Sequence, residues 1–551
     1  MSIHLCLTIF YFLFMISNSM CNICLTCSCT TTLNDGSIID CHAKNLGSND
    51  VLHYYLLMLN ETQSFDKLIL SKNNIVNLSE HLMKRLKLLK NLDLSENMMN
   101  EIYTRTFIDM YNLQSLSLSK NNLSTFDDSV VKVIPGLLRL DLSHNHINTI
   151  EHTIDKTVTK IKFLDLSHNS IFNISQNFFD SLSNLQYLDL SFNKIRSLEN
   201  INFVYLKFLE TVYLNNNFLT SLYVQIFPKS LTKLFAGYNS IKEIYYEPSR
   251  IEVLSVEFNY ISEVQSNITS LENLQHLNIS GNEISNFPNI LLKNLKTLDI
   301  SYNKLYYISK TLSMKNFPLL AQLNVSKNPI QNLTFFSDLK LRSFVASNIS
   351  ALLTIDENTF TKLMSPLNEC INLTISNNEK LYFIHEHALD HLNLCSLDLS
   401  NNQISYIAQK LAVRNTSFST YRLNLQGNPF KCNCSLQWML SDVVPKLYST
   451  HPDLLVNLRC AWPPKISNIR MVHWYGWHNE VFCSNMSDFN EELTMNVAGV
   501  LTDTQVVTFD SSPGLLAVLG VTIGVLSILM IVGIVWTHKL YMKRRRRNRK
   551  F

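Results

Sequence analysis

The 551-residue chain is 46% hydrophobic with only 12 glycines, which excludes a disordered, collagen-like or low-complexity protein. Its formal net charge of +3 does not signal nucleic-acid binding, because Lys539, Lys543, Arg544, Arg545, Arg546, Arg547, Arg549 and Lys550 crowd the end of the chain and leave a mildly acidic body. Length alone would suggest several globular domains, but a fixed internal period overrides that prior and predicts one elongated array.

Residues from about Ile3 to Ile16 form an apolar run, and Ser17, Asn18 and Ser19 after it suit cleavage, so 1–19 reads as a secretory signal peptide. No Lys or Arg precedes the run, which leaves an uncleaved anchor as the alternative. Cys21, Cys24, Cys27, Cys29 and Cys41 follow, and in a secreted chain this density reads as disulfides rather than zinc ligands within a cap at 20–46.

The unit of residues 47–427 is clearest at Leu185-Gln-Tyr-Leu-Asp-Leu-Ser-Phe-Asn-Lys-Ile195, which reads Leu-x-x-Leu-x-Leu-x-x-Asn-x-Ile. Leu188, Asp189 and Leu190 alternate with period two, so a strand turns its leucines inward and its aspartate outward. One such strand cannot bury its apolar face alone, whereas stacked copies share a continuous core and form a parallel sheet. Asn193 ends the strand because its amide both donates to and accepts from backbone groups that the turn would otherwise leave unpaired. Equivalent asparagines stand about 24 residues apart at Asn73, Asn97, Asn121, Asn145, Asn169, Asn193 and Asn217. Spacing loosens through Asn239, Asn259, Asn282, Asn303 and Asn328, the turn at 341–346 lacks its asparagine, and regularity returns at Asn378, Asn402 and Asn428, for about sixteen turns.

This wording resembles the leucine-rich repeat. The resemblance implies an α/β solenoid with a parallel sheet on its concave face, loops or short helical turns on its convex face, and a disulfide cap at each end. In extracellular members of that superfamily the N-terminal cap pairs first cysteine with third and second with fourth, which implies Cys24 to Cys29 and Cys27 to Cys41. Cys21 is then a free thiol, a competitor for those pairings or one end of an intermolecular bridge. Cys370 and Cys395 start two neighbouring strands in nearly equivalent registers, close enough for a bridge, with two buried free thiols as the alternative. Cys432-Asn-Cys434, Trp438, Cys460 before Trp462-Pro463-Pro464, and Cys483 resemble the superfamily's C-terminal cap, placed at 428–483. That resemblance implies Cys432 to Cys460 and Cys434 to Cys483.

Residues 484–513 carry Asp488, Glu491, Glu492, Asp503 and Asp510 but no Lys or Arg, the composition of a solvated stalk. Residues 514–536 are apolar over about 22 positions where about 20 suffice to span a bilayer, and the basic tail 537–551 places the C-terminus in the cytoplasm. Gly520 and Gly524 form a small-xxx-small pair that can bring two helices together, although glycine is common in membrane helices. Secretory context gains independent support from Asn-x-Ser/Thr acceptors at Asn60, Asn77, Asn122, Asn173, Asn267, Asn278, Asn324, Asn332, Asn348, Asn372, Asn415 and Asn485. Asn433 also has the motif, but it lies between two cap cysteines.

No phosphate loop, nucleophile elbow or metal spacing occurs, so the expectation is a non-enzyme without cofactor or metal. His385-Glu-His387-Ala-Leu-Asp-His391 is not His-Glu-x-x-His and reads as solvated or packing histidines. His144 and His168 share one strand position, and Asp141, Asp165 and Asp189 form an outward row. Outward positions of the middle turns become aromatic at Phe163, Tyr187, Phe192, Tyr213, Phe235, Tyr238, Phe258 and Tyr302, which predicts one aromatic binding surface centred on Tyr187 to Phe258. The expected protein is a single-pass type I glycoprotein of the plasma membrane, a receptor or co-receptor for an extracellular protein. Its tail is too short for a signalling domain, so signalling would pass through a homodimer or a partner co-receptor. The alternative is an adhesion molecule binding in trans between cells.

Overall fold

The computed structural model describes residues 23–32, 36–47, 65–78, 80–127, 129–151, 159–201, 203–412, 422–474 and 480–483. The signal peptide, Cys21, Asn60, Asn415, Asn485, the stalk, the apolar segment 514–536 with Gly520 and Gly524, and the basic tail lie outside the described residues. Among the described residues no helix is long and apolar enough to cross a membrane.

The chain forms two units, Met1–His478 and Asn479–Phe551. The first is organised on an 18-stranded sheet. It opens with an antiparallel hairpin, Ser28–Thr32 against Gly36–Asp40, and the second of these strands then pairs parallel with Lys67–Ile69. Disulfides Cys24–Cys29 and Cys27–Cys41 tie this hairpin, which covers the first apolar turn with Ile39 and Leu46. From there successive turns contribute short parallel strands such as Phe163–Asp165, Tyr187–Asp189 and Thr211–Tyr213.

Each three-residue strand turns its middle residue, usually leucine, inward, and a second inward apolar residue follows two positions later. Leu188 and Leu190 have no exposed surface, as do Leu164 and Leu166 within 1%. Full burial of one such side chain contributes about 2 kcal/mol. The asparagines then satisfy the turn. Buried Asn193 donates to the carbonyls of Leu166 (2.9 Å), Leu190 (3.1 Å) and Ser191 (3.1 Å), and its Oδ1 accepts the Ile171 N–H at 2.9 Å. Two of those partners belong to the preceding turn, so each asparagine fastens neighbours as well as its own bend.

The same bond survives where spacing contracts. Asn217 reaches back 22 residues to Ile195, whereas Asn259 reaches back only 18 to Ile241. Residues are therefore lost from the returning loops and not from the sheet. At 341–346 the missing asparagine is replaced by Ile349, which is fully buried. There the Ser347 N–H donates to Ser326 Oγ at 3.0 Å, and the Ser347 and Ser376 hydroxyls pair at 2.9 Å.

Returning segments hold single helical turns, Thr104–Phe107, Ser129–Lys132 and the 3-10 turn Phe178–Ser181 among them. The helical share is smaller than the expected α/β class implies, because turns this short have no room for full helices; the fold is a β-solenoid. A second core runs beneath these segments as a phenylalanine spine, with Phe179 to Phe203 at 5.0 Å and Phe203 to Phe227 at 5.1 Å between ring centres.

Cys370 and Cys395 are bonded across adjacent turns, with Cα atoms 5.1 Å apart. Cys395 is the extra residue of a bulge between Ile371–Thr374 and Leu394–Asp398, where Ile371 faces Leu394 but Asn372 faces Ser396. At the C-terminal end of this unit, Phe430–Lys431 pairs with Cys460–Trp462 beside the Cys432–Cys460 disulfide, and Leu436, Met439, Val444 and Leu447 cover the last turn. Cys434 is also disulfide-bonded. In the second unit the described residues form a turn in which the Cys483 N–H donates to the Glu480 carbonyl at 2.9 Å, and Cys483 is disulfide-bonded.

Candidate protein-binding face

Two outward positions of each strand and one residue in the bend after it line up from turn to turn. On the strands, Phe163 and Tyr187 stack with ring centres 4.2 Å apart, Tyr187 tilts against Tyr213 at 5.4 Å, and Tyr213 stacks on Phe235 at 4.6 Å. Phe163 and Tyr187 occupy the first strand position, while Tyr213 and Phe235 occupy the third, so the column steps sideways between turns. The Arg139 guanidinium closes one end, 3.6 Å above the Phe163 ring.

The second column lies in the bends. His144, His168, Phe192, Tyr238, Phe258 and Tyr302 all have φ between 50° and 54° or, for Tyr302, 55°. A left-handed residue costs about 1–2 kcal/mol. Here the conformation is imposed by ladder bonds, for example Phe192 N–H to Asn215 at 2.8 Å and Phe258 N–H to Ser280 at 2.8 Å. Lys72, Glu96 and Lys120 adopt it too, so the strain belongs to the repeat and only the aromatic identity is particular to these turns.

The eight aromatic residues expected to form one surface therefore form separate groups. Phe163, Tyr187, Tyr213 and Phe235 make one stack; Phe192 stacks on His168 at 4.0 Å, and His168 on His144 at 4.0 Å. Tyr238 stacks on Phe258 at 4.6 Å, and Phe258 reaches Tyr302 at 5.7 Å across an intervening turn. That reach depends on Gly281, where an added Cβ would sit 2.6 Å from the Phe258 ring. Lys327 ends the second column 5.1 Å over Tyr302. Phe192, Tyr238, Phe258 and Tyr302 are exposed, whereas the strand stack is half-buried.

Sequence reasoning missed Arg139, Gly281 and Lys327. The first shares a strand position with Phe163 and the last follows the bend column, so both were recoverable from register; the gap above Gly281 was not.

Asp141, Asp165 and Asp189 border the strand stack. Burial, followed by the neighbouring carboxylates, pushes the Asp165 carboxyl above its ordinary range, against the lowering effect of Ser167. Burial, and then Asp189, likewise raises the Tyr187 and Tyr213 phenols. Beyond Phe235 the sheet face holds a depression of about 640 Å³ lined by Ser255, His276, Asn278, Thr297, Asp299 and Asn324, among others.

Burial, together with His144, depresses the His168 pKa. A histidine whose folded pKa lies below its unfolded value near 6.5 is stabilising while neutral, and that contribution is lost as pH falls through the unfolded value toward the folded one. Between pH 7.5 and 5.5 the wild-type melting temperature is expected to fall further than that of His168→Phe, which keeps the stack as Phe192 does. Parallel melting curves for the two proteins would reject this.

The histidines near residue 390 are structural. His391 Nε2 donates to the carbonyls of Phe360 (2.7 Å) and Leu363 (3.2 Å). Lys410 and then His387 hold the Asp390 carboxyl down to about 2, each lying 2.7 Å from it.

The leucine rich repeat family model matches residues 64–123, 111–157 and 159–219, and a second leucine rich repeat model matches 273–293. Together with the strand ladder and the buried asparagines, these matches show that the chain carries leucine-rich repeats, stacked in a solenoid that holds disulfides. Among curated relatives, it is 28% identical over 238 residues to adenylate cyclase of Schizosaccharomyces pombe, covering 39% of this chain and 14% of that protein. It is 29% identical over 225 residues to transforming growth factor beta activator LRRC33 of Danio rerio, covering 35% and 32%. To human oligodendrocyte-myelin glycoprotein it is 26% identical over 195 residues, covering 34% and 42%. The matches thus span less than half the length of each relative. The disulfides belong to a chain folded in an oxidising, extracellular-type compartment.

Proposed function

We propose that this chain is a membrane-anchored receptor or co-receptor that captures an extracellular protein on the outward sheet face, without signalling activity of its own. The observation that carries the reading is the stack from Arg139 through Phe163, Tyr187 and Tyr213 to Phe235. Rings held in a ladder lose little side-chain entropy on binding, and aromatic anchors dominate protein interfaces. The Asp141, Asp165 and Asp189 row beside the stack favours a partner that presents basic residues around an apolar centre. LRRC33 is named for activating a growth factor, which agrees with a protein ligand. Type I topology, the signal peptide and the basic cytoplasmic tail belong to the same proposal.

Cells expressing the full chain with a tag after Phe551 can be probed with a panel of secreted and cell-surface proteins. The tag should stain only after permeabilisation. Changing Tyr187 and Tyr213 together to Ser interrupts the stack and should weaken partner binding at least about 100-fold, since each removed anchor is worth roughly 2 kcal/mol. Unchanged binding by a double variant present at normal surface level would move the site elsewhere. Clumping of non-adherent expressing cells would replace the receptor reading with adhesion in trans.

A further inference from the structure

Several glycan acceptors stand on flanks, as exposed Asn173 does in the side strand Asn173–Ile174 and Asn267 in the turn Ser266–Ser270. Asn278 and Asn324 do not. Both occupy the third, outward position of a main-sheet strand, in register with Asp299 between them, and both line the depression. We propose that N-linked glycans on Asn278 and Asn324 fill this depression, mask the sheet face beyond Ser255 and confine protein docking to the Arg139 to Phe235 stack. This rests on the secretory, protein-binding reading above.

The amide geometry suits attachment. Asn278 Oδ1 accepts the Ser280 N–H (3.1 Å) and hydroxyl (2.8 Å), while its Nδ2 donates to Glu257 at 3.4 Å. Asn324 Oδ1 accepts the Ser326 N–H at 3.1 Å, and its Nδ2 donates to Asp299 at 3.0 Å. Each amide nitrogen thus uses one of its two hydrogens within the fold and keeps the other for replacement. The ladder asparagines differ: Asn193 is buried and its nitrogen serves three carbonyls.

Transfer joins the asparagine Nδ2 to the anomeric carbon of an oligosaccharide carried on a polyprenyl diphosphate. The anomeric carbon–oxygen bond breaks, the diphosphate leaves with the electron pair, and the amide gives up one proton. The reaction acts on the extended chain before folding, so the later hydrogen bonds do not oppose it. Once folded, sugars rooted at Asn278 and Asn324 have only the open side of the depression in which to extend. Tyr302, in the bend that follows Asp299, then lies among them.

The test uses the full chain expressed in mammalian cells. Enzymatic deglycosylation in heavy-oxygen water converts each occupied asparagine to labelled aspartate, read by peptide mass spectrometry. Asn278 and Asn324 should be labelled along with Asn173 and Asn267. In the Asn278→Gln, Asn324→Gln double variant, electrophoretic mobility should gain two glycan steps. Labelling of Lys327 by a bulky amine-reactive polymer should rise several-fold, while that of Lys120 stays constant. Unmodified Asn278 and Asn324 beside occupied flank sites would overturn the inference and leave the secretory reading intact. No occupied site anywhere would overturn both. Occupied sites with unchanged Lys327 labelling would overturn the masking.

Discussion

Replacing Asn193 by Leu is expected to destabilise the solenoid by roughly 3–5 kcal/mol, although the substitution adds apolar surface to an apolar core. Removing the amide orphans the Ile171 N–H of the preceding turn and takes one of two donors from each of the Leu166, Leu190 and Ser191 carbonyls, which keep Asn169, Asn217 and the His168 N–H. The orphaned N–H costs about 1–3 kcal/mol and each of the three lost carbonyl bonds about 0.5–1.5 kcal/mol, which together outweigh the transfer gain of one side chain. Ile349 shows what tolerance requires. Its turn carries Val345 where Asn193 has Asp189 nearby, so Ser347 is free to pair with Ser376, whereas the Ser191 hydroxyl already donates to Asp189 at 2.6 Å. Hydrogen exchange on the detergent-solubilised full chain should show protection lost in the turns around 166–195 first. Asn216→Leu, at the half-buried bend position of the next turn, offers the control, and equal exchange in the two variants would contradict the assignment of the buried amide as the fastener.

Cys460→Ser is expected to cost about 2–5 kcal/mol, the usual range for a native bridge, and to lower the amount of protein reaching the cell surface. The Cys432–Cys460 bond closes a 28-residue separation at an end that has a neighbouring turn on one side only. Without it, Leu436 and Met439 lose the constraint that holds them over the last leucines, and an open solenoid end exposes apolar surface. Surface yield and melting temperature, compared with those of Cys395→Ser in the interior, measure this. An interior cut should be milder, because turns on both sides still hold the strands. Unchanged yield and melting for Cys460→Ser would show that the cap folds without its bridge.

Much of the fold was legible because the repeat makes the same physical demand in every turn. Leu188 and Leu190 need a neighbour, Asn193 must satisfy a bend, and their recurrence specifies a parallel ladder before any contact is known. The site was legible only in part. That Tyr187 and Tyr213 face outward follows from period two, but their sideways step follows from which outward position each occupies, and that phase matters only once turns are stacked. The join between Phe258 and Tyr302 depends on an absent side chain at Gly281, a kind of information that a list of aromatic residues does not contain. The convex segments, expected as loops or short helical turns, are single turns such as Thr104–Phe107, and only the α/β label overstates them, because the loops shorten by as much as four residues between Asn217 and Asn259.

The bend column has a consequence for how such a protein diversifies. Its left-handed backbone is held by bonds to the next turn and tolerates Lys72, Glu96, His144, Phe192, Asn216, Tyr238 and Lys327 alike. Position and orientation are therefore supplied by the scaffold, and chemistry is written separately, one letter per turn. A surface of this kind can change what it recognises by single substitutions without first acquiring a new loop, and it can do so while the leucines beneath it stay fixed.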